Sequence, residues 1–203
     1  MIIVSAGMHR SGSTWLYNVL RYIYILDQKE VHGCFIKHYD YSRKEDIHVV
    51  KIHSFDKKLA DSGNFVFLTR RDLRDIIASA IRRKLIVEDG KSVITYLNNV
   101  LYREYLPWKE YLSLEIIYEN LIQNKISVIE KIIKILKVNV KSVDVFEKVE
   151  ELKVTGKFNP ITHLHPNHIT NGEAGSYKKT LSKKTIDLIN SEFKEYLLNW
   201  KYL

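Results

Sequence analysis

The sequence predicts an α/β protein with three layers, in which helices cover both faces of a central parallel sheet. Short apolar segments alternate along the 203 residues with longer stretches that have helical periodicity. The strand-like segments lie at 2–5, 48–52, 64–69 and 114–118, and the helical stretches at 13–26, 72–86, 91–106, 121–137, 144–152 and 183–199. Strands that are separated by helices are typical of βαβ units, whose parallel strands are buried on both faces.

The first strand-like segment leads into a glycine- and serine-rich turn that is typical of a phosphate-binding loop. Met1–Val4 is apolar, and residues 7–15 read Gly-Met-His-Arg-Ser-Gly-Ser-Thr-Trp before the helical pattern begins. Such a turn presents backbone N–H groups at a helix N-terminus, where an anion also meets the favourable end of the helix dipole. Gly7 and Gly12 allow close backbone approach, and Arg10 adds a permanent charge. A turn that binds no ligand is the alternative from this motif alone.

This turn nearly matches the G-x-x-x-x-G-K-[ST] loop of ATP and GTP enzymes, but the lysine is missing. Ser13 follows the second glycine where the lysine should stand, and the cation lies two residues before that glycine, at Arg10. The strand-like segment 64–69 is followed by Arg70 and Arg71 rather than by an aspartate that helps to hold Mg²⁺. An ATP- and Mg²⁺-dependent kinase is therefore one alternative, and a non-catalytic nucleotide-binding protein is another.

Residues Arg10–Trp15 resemble the 5′-phosphosulfate loop, K/R-S-G-T/S-T-W, of sulfotransferases that use 3′-phosphoadenosine 5′-phosphosulfate (PAPS). Four further segments resemble motifs of this family in the family's order. They are Lys51–His53, like the K-T-H segment with the catalytic histidine; Arg71–Ser79, like the 3′-phosphate signature; Tyr118–Leu121, like the Y-E-D-L segment near the adenine; and Gly172–Lys178, like the end of the late nucleotide loop, G-x-x-G-D-W-K. Five matches in one order are far more specific than any single match.

The resemblance implies a P-loop-like phosphosulfate-binding loop and a full set of donor contacts. Arg71 and Ser79 are expected at the 3′-phosphate, and Trp15 and Tyr118 near the adenine. The predicted donor-binding residues are Arg10, Ser11, Gly12, Ser13, Thr14, Trp15, Arg71, Ser79, Tyr118, Gly172 and Gly175. The alternatives are that Trp15 and Tyr118 are ordinary core aromatics and that the neighbouring arginines form a solvated basic helix face: Arg70, Arg74, Arg82 and Arg83.

The resemblance also implies in-line transfer of a sulfuryl group to a hydroxyl or amine of a small-molecule acceptor, with adenosine 3′,5′-bisphosphate (PAP) as the product. His53 is the expected general base, because imidazole titrates near neutral pH. Lys51 lies two residues away, on the same face if this segment is a strand, and is expected to stabilise the bridging oxygen with Arg10. Arg10 cannot give up a proton near neutral pH, so it is expected to act as an electrostatic clamp. A structural His53 is the alternative.

Two departures from the family pattern concern the donor site. Thr170 and Asn171 stand where the late loop usually carries Arg-Lys, so the resemblance does not predict that arm of the 3′-phosphate clamp. His168 is close enough in sequence to compensate. Leu73 occupies the usual proline position, which alters the helix entry but removes no contacting group.

The closely spaced histidines near the end of the chain do not predict a metal cofactor beside PAPS. His163, His165 and His168 are closely spaced, but no cysteine or carboxylate completes a recognised metal-binding spacing, so no metal is expected.

Residues 27–47 are predicted to form an acceptor-side loop. Its candidate wall residues are His32, His38, Tyr39 and Tyr41.

Composition predicts one soluble domain over residues 1–203. Hydrophobic residues make up 45% and charged residues 28% of the chain, which is enough for a sizeable core. The net charge of +8 favours anionic ligands such as PAPS, but no specific nucleic-acid-binding signature is present. The apolar runs are too short for a membrane span and the chain opens directly into the first strand. Cys34 is the only cysteine, so we expect a cytoplasmic protein without a disulfide framework.

Overall fold

The computed structural model describes residues 1–152, 157–166 and 172–203. Within these ranges, five parallel strands form one sheet in the order β2-β3-β1-β4-β5. The strands are β1 (Ile2–Gly7), β2 (Val31–Phe35), β3 (Ile47–Lys51), β4 (Phe65–Arg70) and β5 (Leu114–Ile117). The predicted α/β class with a central parallel sheet is therefore confirmed.

Helices cover both faces of this sheet. They are α1 (Ser13–Leu26), α2 (Lys57–Ser62), α3 (Leu73–Arg82), α4 (Gly90–Tyr102), α5 (Tyr118–Gln123), α6 (Lys125–Leu136), α7 (Ser142–Glu150), α8 (Tyr177–Thr180), α9 (Lys183–Glu192) and α10 (Lys194–Asn199), with 3₁₀ helices at Ile36–His38 and Leu106–Tyr111. Successive side chains of β1 point to opposite faces, since Val4 belongs to a core cluster with α3 and α4, and Ile3 to a cluster with α1, α6 and α7. These two cores make the three layers that the sequence predicts.

Strand β2 was not predicted, because it lies in the segment that appeared least regular. Its sequence, Val-His-Gly-Cys-Phe, has no alternating pattern and contains a residue of low strand propensity. A Cβ on Gly33 would lie 2.6 Å from both Tyr17 Oη and Arg21 Nε. The Tyr17 and Arg21 side chains of α1 therefore fill the space beside Gly33, which is a tertiary contact that a local pattern does not show.

Several predicted helices are shorter or divided in the structure. The predicted helix at 121–137 breaks at Asn124, whose side chain accepts a hydrogen bond from the Ser127 N–H at 2.9 Å and caps α6. The predicted helix at 183–199 breaks at Phe193, where φ is −116° and ψ is 25°. Helix α2 was not predicted at all.

The topology brings the carboxyl ends of β1, β3 and β4 to one edge of the sheet. In open α/β sheets, ligands bind at this edge, where the connections leave the strands for opposite faces. The loop between β1 and α1 crosses the edge at its centre. Within the described ranges, no helix combines the length and the apolar character that a membrane span requires.

Candidate active site

The loop between β1 and α1 is tightly folded and held by hydroxyl groups. A Cβ on Gly7 would lie 2.1 Å from Thr69 Oγ1, so the Thr69 hydroxyl occupies the space that a side chain at position 7 would need. Ser11 donates a hydrogen bond to the Met8 carbonyl at 2.6 Å, and its hydroxyl lies 2.6 Å from the Thr69 hydroxyl. Arg10 and Gly12 have left-handed backbones, with φ of 66° and 86°. This backbone presents N–H groups at the start of α1, as an anion site requires.

Cationic side chains converge on this loop from β3 and from the loop itself. Lys51 is buried, and its ammonium group donates a hydrogen bond to Thr14 Oγ1 at 2.5 Å. Arg10 Nε donates to Ser79 Oγ at 2.9 Å, which joins the loop to α3. Burial, and secondly the charge of Arg10, lower the pKa of Lys51 to about 7. Burial also lowers the pKa of Arg10 from its ordinary value. An anion between these groups would relieve their mutual repulsion.

His53 follows β3 directly, and its ring is anchored to the end of β1. The Nδ1 atom lies 2.6 Å from the Gly7 carbonyl oxygen, and the His53 carbonyl accepts a hydrogen bond from Trp108 Nε1 at 3.2 Å. Because a carbonyl oxygen only accepts, a neutral ring carries its proton on Nδ1 and leaves Nε2 as the basic nitrogen. Burial, and secondly the neighbouring His9, hold the pKa of His53 well below its ordinary value. The ring is therefore neutral near pH 7, which is the form that a general base needs.

His9 and Glu104 adjoin this histidine, and sequence reasoning missed both. The rings of His9 and His53 stack with their centroids 3.8 Å apart. Glu104 is buried, accepts a hydrogen bond from the His9 backbone N–H at 2.8 Å, and also contacts His9 Nδ1. His9 lies within the recognised loop motif, so it was open to inspection. No local signal points to Glu104, which approaches from beyond the end of α4.

On the other side of the loop, Arg71 lies among the predicted adenine and late-loop residues. Its guanidinium stacks over the Tyr118 ring with its carbon 4.0 Å from the ring centroid. It also donates hydrogen bonds to the carbonyl oxygens of Arg10 at 3.2 Å and Glu173 at 2.9 Å. The Tyr118 hydroxyl donates to the Gly172 carbonyl at 2.8 Å. Four segments that are far apart in the chain therefore meet around Arg71.

A single buried carboxylate, Asp75 of α3, holds the described part of the late loop. It accepts hydrogen bonds from Gly175 N at 2.7 Å, Ser176 Oγ at 3.0 Å and Tyr177 N at 2.9 Å. Gly172 and Gly175 have φ of 73° and 74°, a conformation that glycine adopts without strain. The predictions for Thr170 and Asn171, and the compensating role of His168, lie outside the described residues.

Two of the arginines that could form a solvated basic helix face, Arg70 and Arg74, are buried instead. Arg70 is buried and its Nε lies 2.8 Å from a Glu115 carboxylate oxygen. Arg74 is also buried, and its Nη2 lies 2.7 Å from an Asp72 carboxylate oxygen. These pairs stabilise the end of β4 and the start of α3. Trp15 is partly buried and packs against the core that contains α1, α6 and α7.

The surroundings of His53 on the acceptor side differ in part from the predicted loop. Among the predicted wall residues, Tyr39 packs with His32 and Tyr41, at centroid distances of 6.5 and 4.6 Å. The ring nearer to His53 is Phe35 of β2, whose centroid is 6.2 Å from His53 and also 6.2 Å from His163. Burial lowers the pKa of His163 to about 4, so this ring is neutral near pH 7. The pattern missed Phe35 because it missed β2.

The parallel sheet, the first loop and the helical layers form an α/β fold that a solved sulfotransferase shares. No protein-family model matches the chain, and no curated protein sequence matches it significantly. Solved structures do match. The chain is similar to mouse sulfotransferase SULT7A1 in complex with PAP, with a TM-score of 0.65 and 13% identity over 98% of this chain and 84% of that one.

Retinol dehydratase, in two further crystal structures, has the same fold. Its complex with androsterone and the inactive cofactor PAP gives a TM-score of 0.64 and 12% identity over 97% of this chain and 80% of that one. Its complex with retinol and PAP gives a TM-score of 0.63 and 14% identity over 97% and 81%. At this identity the likeness shows the fold.

Proposed function

We propose that the protein is a PAPS-dependent sulfotransferase that acts on a hydroxyl or amine of a small molecule. The observation that carries the proposal is the pairing of two cationic centres across the β1–α1 loop. Lys51 contacts Thr14 of the loop, and Arg71 lies over Tyr118 and donates to the Arg10 carbonyl. The Arg10 guanidinium is bonded to Ser79 of α3, so it contacts the same part of the site as Arg71. PAPS is anionic at both its 5′-phosphosulfate and its 3′-phosphate, so several cationic groups around one loop suit it better than a simple phosphate.

The chain's own groups supply the parts that sulfuryl transfer needs. The acceptor oxygen or nitrogen attacks the sulfur in line, and the bond from sulfur to the bridging phosphate oxygen breaks as PAP leaves. His53 takes the acceptor's proton on Nε2, because Nδ1 is used on the Gly7 carbonyl. Lys51 and Arg10 offset the negative charge that develops on the bridging oxygen, and electrostatic stabilisation of this kind is often the largest contribution to catalysis.

The proposed acceptor class rests on the side chains around His53 and on the ligands of the solved structures that share the fold. Phe35 and His163, whose centroids are 6.2 Å apart, give the His53 side apolar and aromatic surfaces. Retinol dehydratase was crystallised with retinol and with androsterone, which are both small molecules. The same proposal includes a reaction without a metal cofactor and a cytoplasmic location. The single cysteine, Cys34, is compatible with a reducing compartment.

Titration calorimetry with PAP tests the donor site. We expect binding of PAP without added metal, and loss of that binding in Arg71→Ala, because the 3′-phosphate loses its bidentate partner. Arg43→Ala is the matched control, since Arg43 carries the same charge on the surface beside Glu45 and should bind PAP normally. Tight binding of ATP with Mg²⁺, together with no binding of PAP, would favour a kinase-like enzyme instead.

Replacement of the candidate base separates an enzyme from a non-catalytic binding protein. Once an acceptor is found, His53→Ala should lower turnover by about 10²–10⁴-fold, the usual contribution of general-base catalysis. The affinity for PAP should be nearly unchanged, because the His53 ring bonds to the Gly7 carbonyl rather than to a donor-facing N–H. Unchanged turnover would exclude His53 as the base.

A further inference from the structure

His9, His53 and Glu104 form a compact group of potential metal ligands beside the β1–α1 loop. One ligand atom from each residue can be chosen so that all three lie within 4.8 Å of one another. The His9 side chain is 45% exposed and the Glu104 side chain 8% exposed, so an ion would enter past His9 and meet a buried carboxylate. Exposed acidic groups often cluster without binding a metal. This group differs, because its carboxylate is buried and lies beside two imidazole rings.

The hydrogen bonds around this group resemble the outer contacts of a metal site. The Gly7 carbonyl holds His53 Nδ1 at 2.6 Å, which fixes the ring and leaves Nε2 as the available nitrogen. The His9 backbone N–H holds one Glu104 oxygen at 2.8 Å, while the other oxygen contacts His9 Nδ1. Two ligands are therefore oriented before any ion arrives.

The donor set indicates which cations fit. Two imidazole nitrogens and one carboxylate oxygen suit Zn²⁺, which binds them at about 2.0–2.2 Å and keeps a fourth position open. Tetrahedral bonds of that length place ligand atoms about 3.4 Å apart, so only small side-chain movements are needed. Ca²⁺ and Mg²⁺ prefer sets of oxygen ligands and fit poorly. Lys51 and Arg10 lie nearby and oppose a cation, which argues for moderate rather than very tight affinity.

We propose that His9, His53 and Glu104 form a binding site for one divalent transition-metal ion of the Zn²⁺ type. An ion bound at His9 Nδ1 and Glu104 replaces the hydrogen bond between these two groups, and the His9 ring stays neutral by carrying its proton on Nε2. Occupancy also takes the free nitrogen of His53, so the bound ion blocks proton transfer from the acceptor. Only this last consequence rests on the proposed function; the binding itself does not.

Zinc binding is measured on the metal-free full chain by competition with a chromophoric chelator. The wild-type protein should bind one equivalent of Zn²⁺, and both His9→Ala and Glu104→Gln should weaken the affinity by at least about tenfold. His165→Ala is the matched control, because this exposed histidine lies in the 157–166 segment and should bind zinc normally. Equal affinity in the wild type and both variants would overturn the site. A loss confined to His165→Ala would also overturn it and place the ion on the later histidines.

Cobalt substitution keeps the test decisive if a variant fails to fold. Co²⁺ in the wild-type site should give the visible absorption bands of a low-coordinate complex, and a spectrum of hexa-aqua Co²⁺ would contradict the site. With an active acceptor in hand, turnover should fall in parallel with zinc occupancy. Full turnover with zinc bound would show that the ion does not prevent proton transfer to His53. The conclusion that zinc binds at this site would be unaffected.

Discussion

Lys51 places an ammonium group where water hardly reaches it. The side chain is buried at the end of β3, and among the described residues its hydrogen bond goes to the Thr14 hydroxyl rather than to a carboxylate. A buried charge without a counter-ion costs stability, which explains why burial lowers the pKa of Lys51 to about 7. An anion bound beside Lys51 would supply the missing counter-charge.

The substitution Lys51→Met should therefore stabilise the empty protein and impair its function. Methionine keeps the length and apolar stem of the side chain but removes the uncompensated charge. We expect the free energy of unfolding in urea to rise by about 1–4 kcal/mol, the range seen when buried ionic groups are replaced by apolar ones. Binding of PAPS and turnover should both fall, because the site loses a cation.

Lys134→Met provides the control, because Lys134 is an exposed lysine in the last turn of α6. Its replacement should change the free energy of unfolding by less than about 0.5 kcal/mol. If Lys51→Met destabilised the protein as strongly as an ordinary core substitution, the ammonium group would be a structural element rather than part of an anion site.

One carboxylate of α3 accepts three hydrogen bonds from the late loop and so joins two elements that are distant in the chain. Asp75 is buried and accepts hydrogen bonds from Gly175, Ser176 and Tyr177. It also lies 3.7 Å from the Arg71 guanidinium. The same side chain therefore fixes the described late loop and orients the proposed 3′-phosphate ligand.

Asp75→Asn should loosen the late loop and weaken donor binding together. The asparagine NH₂ group would face N–H and hydroxyl donors, and leaving buried donors unpaired costs about 1–3 kcal/mol each. We expect the affinity for PAP to fall at least about tenfold. Amide hydrogen exchange in 172–180 should become faster. Asp187→Asn is the control, because Asp187 is exposed on α9 and carries the same charge. Unchanged exchange in 172–180 would mean that other contacts hold the loop.

Elements that depend on local chemistry were predictable from the sequence, and elements that depend on distant contacts were not. The β1–α1 loop is set by its own residues, so the motif located it. Strand β2 is defined by its pairing with β3 and is in contact with α1 at Gly33, and Glu104 reaches His9 from 95 positions away. The divisions at Asn124 and Phe193 arise from caps and backbone angles that interrupt a continuous apolar pattern. The candidate site was thus predicted in its motifs but not in its surroundings.

At the scale of the whole molecule, the proposed donor site is assembled from parts that the chain order separates. The β1–α1 loop, the start of α3 and the described late loop meet around Arg71, while α6 and α7 pack on the opposite core. Both cores share the central sheet. A ligand that binds across the three segments therefore stabilises the folded state, because the unfolded chain cannot bind it.

PAP should raise the stability of the protein and slow exchange in all three segments at once. At a free concentration of one hundred times its Kd, PAP adds about 2.7 kcal/mol to the free energy of unfolding. For a chain of this size that corresponds to an increase in Tm of roughly 5–11 °C. Hydrogen exchange followed by mass spectrometry should slow in residues 8–14, 71–79 and 172–177. It should change least in α6 and α7, which serve as the internal reference.

The pattern of slowing distinguishes a nucleotide site from a simpler anion site. Inorganic sulfate at saturation should protect the β1–α1 loop alone, because it cannot reach Arg71 and the late loop together. If PAP protected only that loop, its 3′-phosphate would not engage Arg71, and the role assigned to Arg71 would be wrong. If PAP slowed exchange in none of the three segments, the chain would have the sulfotransferase fold without a donor site, because a bound nucleotide must restrict the backbone that holds it.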